Sequence, residues 1–199
     1  MSFSPSTLAA LVVAASFAAG LNLYATVLTL GLLARARWVT LPPGLEGLAS
    51  WWILAASALL FGIEFFADKL PGIDLAWNSL HTLVRVPVAA LLAYRATEQL
   101  PPSLQLLAAG AGAAIALAAH SSKTAARAFV TPSPEPFTNI ALSGGEDAAA
   151  VGITWLATRH PRTAAAIAAG LTLLAVWTTG RILRRGRVLW RKLSARSGR

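Results

Sequence analysis

Between Phe61 and Ala93 an otherwise apolar stretch carries Glu64, Asp68, Lys69, Asp74, His81 and Arg85, and a later one carries His120, Lys123, Arg127, Asn139, Glu146 and Asp147. Ionisable side chains at membrane depth are costly to keep, so each is a functional candidate by default. Residues three and four apart share a helix face. That groups Glu64 with Asp68, then Asn78 with His81 and Arg85, then His120 with Lys123 and Arg127. The carboxylates could bind a cation or relay protons, while His81, Arg85, Lys123 and Arg127 could hold an anionic or phosphorylated group. The cations exceed what Glu64 and Asp68 need for neutralisation, so an anionic solute is expected. The same charges could instead pair with one another and serve only to fix the bundle.

Two of these groups read as one motif written twice. Asn78-Ser79-x-His81-Thr82-x-x-Arg85 returns as His120-Ser121-x-Lys123-Thr124-x-x-Arg127, with 120 − 78 = 42. Two polar-faced helices would then meet around one site, with Arg85 facing Arg127, as where transporter repeats converge beside interrupted helices. The breaks at Pro71-Gly72 and Pro132 to Pro136 do not share the 42-residue offset, which counts against a simple inverted repeat.

Other chemistries fare worse. The chain has no cysteine, which removes disulfides, thiolate metal sites and cysteine nucleophiles. His81, His120 and His160 lie apart, with no His-x-x-x-His pair, so no metal or cofactor is expected. Ser143, in Leu-Ser-Gly-Gly-Glu, lacks the Gly-x-Ser-x-Gly elbow; a helix-capping box from Ser143 to Glu146 explains it without catalysis. No catalytic residue is assigned.

The elements that must position these residues are apolar helices. Of 199 residues, 56% are apolar and 13% charged, and mean hydropathy is +0.61. An ordinary soluble domain has about a quarter of its residues charged. The expected fold is therefore an all-α polytopic transmembrane bundle of five or six spans. Residues 1–180 form the membrane domain and 181–199 a basic amphipathic helix and tail on the cytoplasmic surface.

The spans are expected at Leu8–Leu33, Leu48–Ala67, Leu75–Tyr94, Leu104–Ala119 with its polar continuation to Arg127, Asn139–Ala157, and Thr163–Gly180. The first run exceeds the roughly 20 residues a spanning helix needs. Asp74 would cap the helix after Pro71-Gly72. Only a short apolar part follows Asp147, so the Asn139–Ala157 segment could be re-entrant.

Net charge is +9, but eight of the seventeen basic residues follow Gly180. A basic tail after an apolar segment suits a cytoplasmic C-terminus and anionic lipid headgroups better than nucleic acid. Six spans put the N-terminus in the cytoplasm too; five put it outside. Small residues at Ala14–Gly20, Gly110–Ala118 and Ala164–Gly170 would serve a homodimer or higher homo-oligomer as well as internal packing.

The combination Phe66-Ala67-Asp68-Lys69-Leu70-Pro71-Gly72-Ile73-Asp74, then Trp77-Asn78, His81 and Arg85-Val86-Pro87, then Pro136-Phe137-Thr138-Asn139 with Ser143 and Glu146-Asp147, resembles a family of small bacterial inner-membrane proteins catalogued only as a domain of unknown function. The resemblance implies a multi-span bacterial membrane protein and supplies no activity. On the residues, the expected function is a transporter or channel for a small anionic or phosphorylated solute or ion. The alternatives are an enzyme or binder acting on a phospholipid headgroup, and a non-catalytic membrane scaffold.

Overall fold

The computed structural model describes residues 3–70, 73–130 and 136–197. Seven α-helices account for most of it: α1 Pro5–Leu21, α2 Leu23–Arg35, α3 Trp51–Ala67, α4 Ile73–Ala96, α5 Pro102–Val130, α6 Pro136–Arg159 and α7 Pro161–Ser197. A 3-10 segment, Pro43–Ala49, precedes α3 and meets it at 68°. Four of the seven helices begin on a proline, whose fixed φ suits a first turn and whose missing N–H is not needed there. No strand occurs among the described residues.

The expected first span, Leu8–Leu33, is not one helix. It breaks at Asn22, whose backbone is extended at φ −147° and ψ 105°. α2 then turns back beside α1, because Val12 and Leu30 line the same small cavity together with Leu45 and Ala96. In a continuous helix those two residues, 18 apart, would be separated by about 27 Å. The long apolar run is therefore a helical hairpin whose tip, Asn22, is fully buried.

The other helices follow from where this hairpin starts and returns. Pro5 shares a groove with Thr97, Leu100 and Leu104, and Leu45 packs with Leu92 and Ala96. Ala157 and Ala164, either side of His160, belong to one apolar cluster with Leu11 and Ala14. One end of the bundle thus gathers the chain start, the connection between α2 and α3, the α4–α5 turn and the α6–α7 turn. α3, α5 and α7 run away from that end, and α4 and α6 run back. The C-terminal end of α7 lies opposite the chain start.

α1 is the hub. It packs against α4, α5, α6 and α7 and is buried from Leu8 to Leu21 on almost every side, as expected of a helix without a polar face. Small residues make this closeness feasible. A Cβ on Gly20 would lie 2.5 Å from the Ala116 carbonyl oxygen and 2.8 Å from Ala119 Cβ. Ala14, Ala18, Ala116, Ala119, Ala164 and Ala168 are likewise buried inside the chain. The small-residue face of α1 is thus consumed by internal packing, whereas Gly110 on α5 and Gly170 on α7 stay open.

Polarity runs inside out. Trp52, Leu59, Phe66, Leu83, Leu107 and Leu173 are all more than 60% exposed, whereas Glu64, Asp68 and Arg85 are 0% exposed. Pro102–Ala126 and Pro161–Arg181 are each long and apolar enough to cross a bilayer, and the 3-10 segment with α3 passes as a bent pair. A large exposed apolar surface around buried charge is the signature of a protein solvated by lipid. The chain is a helical membrane protein. Arg35 lies over Trp51 at 3.7 Å near one end, and Arg181 over Trp177 at 4.1 Å toward the other. Paired tryptophan and arginine suit the two headgroup levels.

Three smaller expectations change. α6 is a helix of 24 residues, Pro136–Arg159, longer at both ends than the expected Asn139–Ala157 segment. Ser143-Gly144-Gly145-Glu146 lies in its interior and caps nothing. The basic segment after Gly180 is an uninterrupted continuation of α7, not a separate helix. The breaks at Pro71-Gly72 and Pro132 to Glu135 fall outside the described residues, and Pro136 opens α6.

Candidate functional site

The break at Asn22 redistributes backbone hydrogen bonds. In a continuous helix the Ala25 N–H would donate to the Leu21 carbonyl. Here it donates to Asn22 Oδ1 at 2.9 Å, with Asn22 as the N-cap of α2. The Leu21 carbonyl is thereby released and accepts from Lys123 Nζ at 3.1 Å and Arg85 Nη1 at 3.3 Å. Two cations thus meet the partial negative charge at the C-terminus of α1. On the other side of the tip, Asn22 Nδ2 donates to Asp147 Oδ1 at 2.8 Å, bringing an acid to the N-terminus of α2, where the dipole is positive.

Around this tip the outer helices supply charges. Arg85, midway along α4, pairs with Glu64 of α3, both fully buried. Lys123 of α5 reaches Asp68 Oδ2 at 2.8 Å, Glu146 Oε2 at 3.3 Å and Glu64 Oε1 at 3.5 Å. Arg85 Nη1 also donates to His120 Nδ1 at 3.0 Å. Arginine only donates, so Nδ1 must accept; His120 is then the Nε2–H tautomer and donates to Thr82 Oγ1 at 2.7 Å. His81 is the opposite tautomer. Its Nδ1–H donates to the Trp77 carbonyl at 2.9 Å, its ring stacks on Trp77, and Nε2 accepts from the Tyr24 hydroxyl at 3.1 Å.

The cluster sits near mid-height. Arg85 and Asp147 lie close to the middle of helices that each contain 24 residues, about 36 Å of length. Buried ion pairs gain little net stability after desolvation, yet removing one partner is expensive. Some of the polar capacity is left over: Glu64 Oε2, Asp147 Oδ2 and Ser143 Oγ are buried without a hydrogen-bond partner among the described residues. Beside the cluster, an apolar groove of about 530 Å³ between α1, α6 and α7 is lined by Phe17, Leu21, Gly145 and Leu171 and reaches Glu146.

Seven sequence-selected residues, Glu64, Asp68, Arg85, His120, Lys123, Glu146 and Asp147, come together at the tip, and His81 adjoins through Tyr24. Lys69 is half-buried at the end of α3, where Nζ donates to the Phe65 carbonyl and lies over the Phe65 ring. The expectations for Asp74, Asn78, Arg127 and Asn139 fall on side chains outside the described residues, so the facing of Arg85 and Arg127 does too. The two copies of the repeated motif do interlock: His120, which opens the second, bonds Thr82 and Arg85 of the first. Among the described residues, no three His, Cys, Asp or Glu side chains are grouped so as to hold a metal ion.

The Leu21 carbonyl was not legible as a site component, nor Asn22 as a helix break. The available signals were a polar amide of high N-cap preference inside an apolar run, and a run longer than one span needs.

No curated protein and no solved structure matches the chain. Residues 9–181 match the family described as Domain of unknown function (DUF4126), and the chain belongs to that family.

Proposed function

We propose that the protein is a transporter or channel of the bacterial inner membrane whose pathway passes the buried cluster at the Asn22 tip, and that it carries a cation. The observation behind this reading is the coincidence of a broken central helix with ionisable groups from four others near mid-height. Transporters build ion and substrate sites at such points, because released carbonyls and helix ends face the solute. The proposed sign of the solute differs from the sequence expectation. Among the described residues at the tip there are four carboxylates (Glu64, Asp68, Glu146, Asp147) and two basic side chains (Arg85, Lys123), and each basic side chain is already paired with a carboxylate. An excess of carboxylate supports a cation, protons included.

The hairpin is re-entrant in this proposal, leaving α3 to α7 as five spans, the N-terminus outside and the C-terminus in the cytoplasm. The basic end of α7 then meets anionic lipid headgroups.

Purified protein in liposomes provides the test. Proton, sodium or potassium flux is expected, and Asp68→Asn, which keeps an acceptor for Lys123 but removes a charge, should lower it at least tenfold while the melting transition persists. Flux of phosphate or chloride alone would restore the anionic reading. The groove that ends on Glu146 is of a size for an acyl chain, and turnover of labelled phospholipid without ion flux would favour the lipid enzyme.

A further inference from the structure

Lys123 Nζ is surrounded by oxygen. Asp68 Oδ2, the Leu21 carbonyl, Glu146 Oε2 and Glu64 Oε1 lie at 2.8, 3.1, 3.3 and 3.5 Å. These oxygens come from α1, α3 with its C-terminal cap, and α6, whereas the nitrogen comes from α5. The shell is thus assembled without the helix that supplies its occupant. It is also not saturated, because Glu64 Oε2, on the same fully buried carboxylate, has no hydrogen-bond partner among the described residues.

We propose that the oxygens around Lys123 Nζ form a binding site for a monovalent cation of ammonium or potassium size, in which the lysine ammonium is the resident occupant and the carried cation its competitor. An oxygen-only donor set selects hard cations over soft ones. The wide spacing argues against a small divalent ion, for which Ca²⁺–oxygen distances are about 2.3–2.6 Å. Lysine is a compact point charge on a flexible stem, so its head group can occupy an ion's place and leave it. The inference rests on the cation reading above and names the class of ion.

Lys123→Met keeps most of the stem and removes the ammonium. Thermal melting of the purified variant is followed in choline chloride, then with choline replaced by potassium, ammonium or calcium at constant ionic strength. The variant should melt below the wild type in choline. Potassium and ammonium should raise its midpoint saturably, by about 5–10 °C at a hundredfold excess over Kd. The wild type should lack this saturable rise, and adding Asp68→Asn to Lys123→Met should weaken ion affinity at least tenfold. Equal responses of variant and wild type overturn the proposal, and a stronger response to calcium overturns its ion class. A variant that folds in none of the salts overturns it as well, most sharply if Lys123→Met/Asp68→Asn does fold, because the carboxylates then need a charge they cannot recruit. Flux without ion-dependent melting would keep transport and remove this site; ion-dependent melting without flux would do the reverse.

Discussion

Glu64 and Arg85 are both fully buried, 21 residues apart in sequence, and joined head to head across α3 and α4. Their energetics follow from desolvation. Taking both charges out of water costs about what their attraction returns, but leaving either one alone strands a buried charge. Arg85→Met should therefore lower stability by about 3–5 kcal/mol. The double replacement Glu64→Leu/Arg85→Met should cost less than either single change. Thermal melts of the four proteins in one detergent check this, and additive losses would show that the pair is not coupled. The groups themselves were readable in the sequence, because ionisable residues in apolar stretches are costly and helix spacing sorts them into faces. Their charge balance was not. It depends on Glu146 and Asp147 arriving from α6, which no local spacing relates to Lys123.

At the scale of elements, the departure from the sequence reading is the hairpin. Leu8–Leu33 has the length and hydropathy of a single span, and nothing in its periodicity marks Asn22 as a tip. Tertiary contacts decide the matter: Asp147 of α6 accepts from the Asn22 amide, and Lys123 and Arg85 take the carbonyl that the break releases. Asn22→Ala should then lose the N-cap, worth about 1 kcal/mol, and leave Asp147 Oδ1 short of a donor, worth about 1–3 kcal/mol more. Cation flux should fall at least tenfold in the surviving protein. Unchanged flux would mean that the break does not belong to the pathway.

Packing of the hub helix gives a second prediction at this scale. Gly20 faces the α5 backbone at contact distance, so Gly20→Ala must push α5 away or shift α1, at about 1–3 kcal/mol. A Cβ added at Gly152, in the interior of α6, would meet nothing within 4 Å. Gly152→Ala should be neutral or stabilise by up to about 1 kcal/mol, the helix-propensity difference. Equal melting of the two variants would contradict the placement of α1 against α5.

For the whole molecule, the hairpin changes which ends of the chain share a side. Counting α1 and α2 as one spanning helix gives six passages and termini on the same side; the proposed five-span arrangement, with the hairpin folded back, places them opposite. The bounds of α3 to α6 were readable because apolar runs and prolines mark them, but the proposed parity turns on a single buried asparagine. Basic residues then orient the bundle. The end that carries the chain start gathers Arg35, Arg37, Arg95, Arg159 and Arg162, whereas seven basic residues from Arg181 to Arg196 lie on the last part of α7 toward the other. The proposed orientation puts the larger cluster in the cytoplasm, as the excess of Lys and Arg there favours. Because the chain has no cysteine, single introduced cysteines report their own side without background. Glu98→Cys and His160→Cys, both at exposed positions, should react in intact cells with a membrane-impermeant thiol reagent. Ser197→Cys should react only after the membrane is opened. Labelling of Ser197→Cys and His160→Cys from the same side would show that an even number of passages separates them, and α7 could not then be the single uninterrupted span that carries the chain from one face to the other.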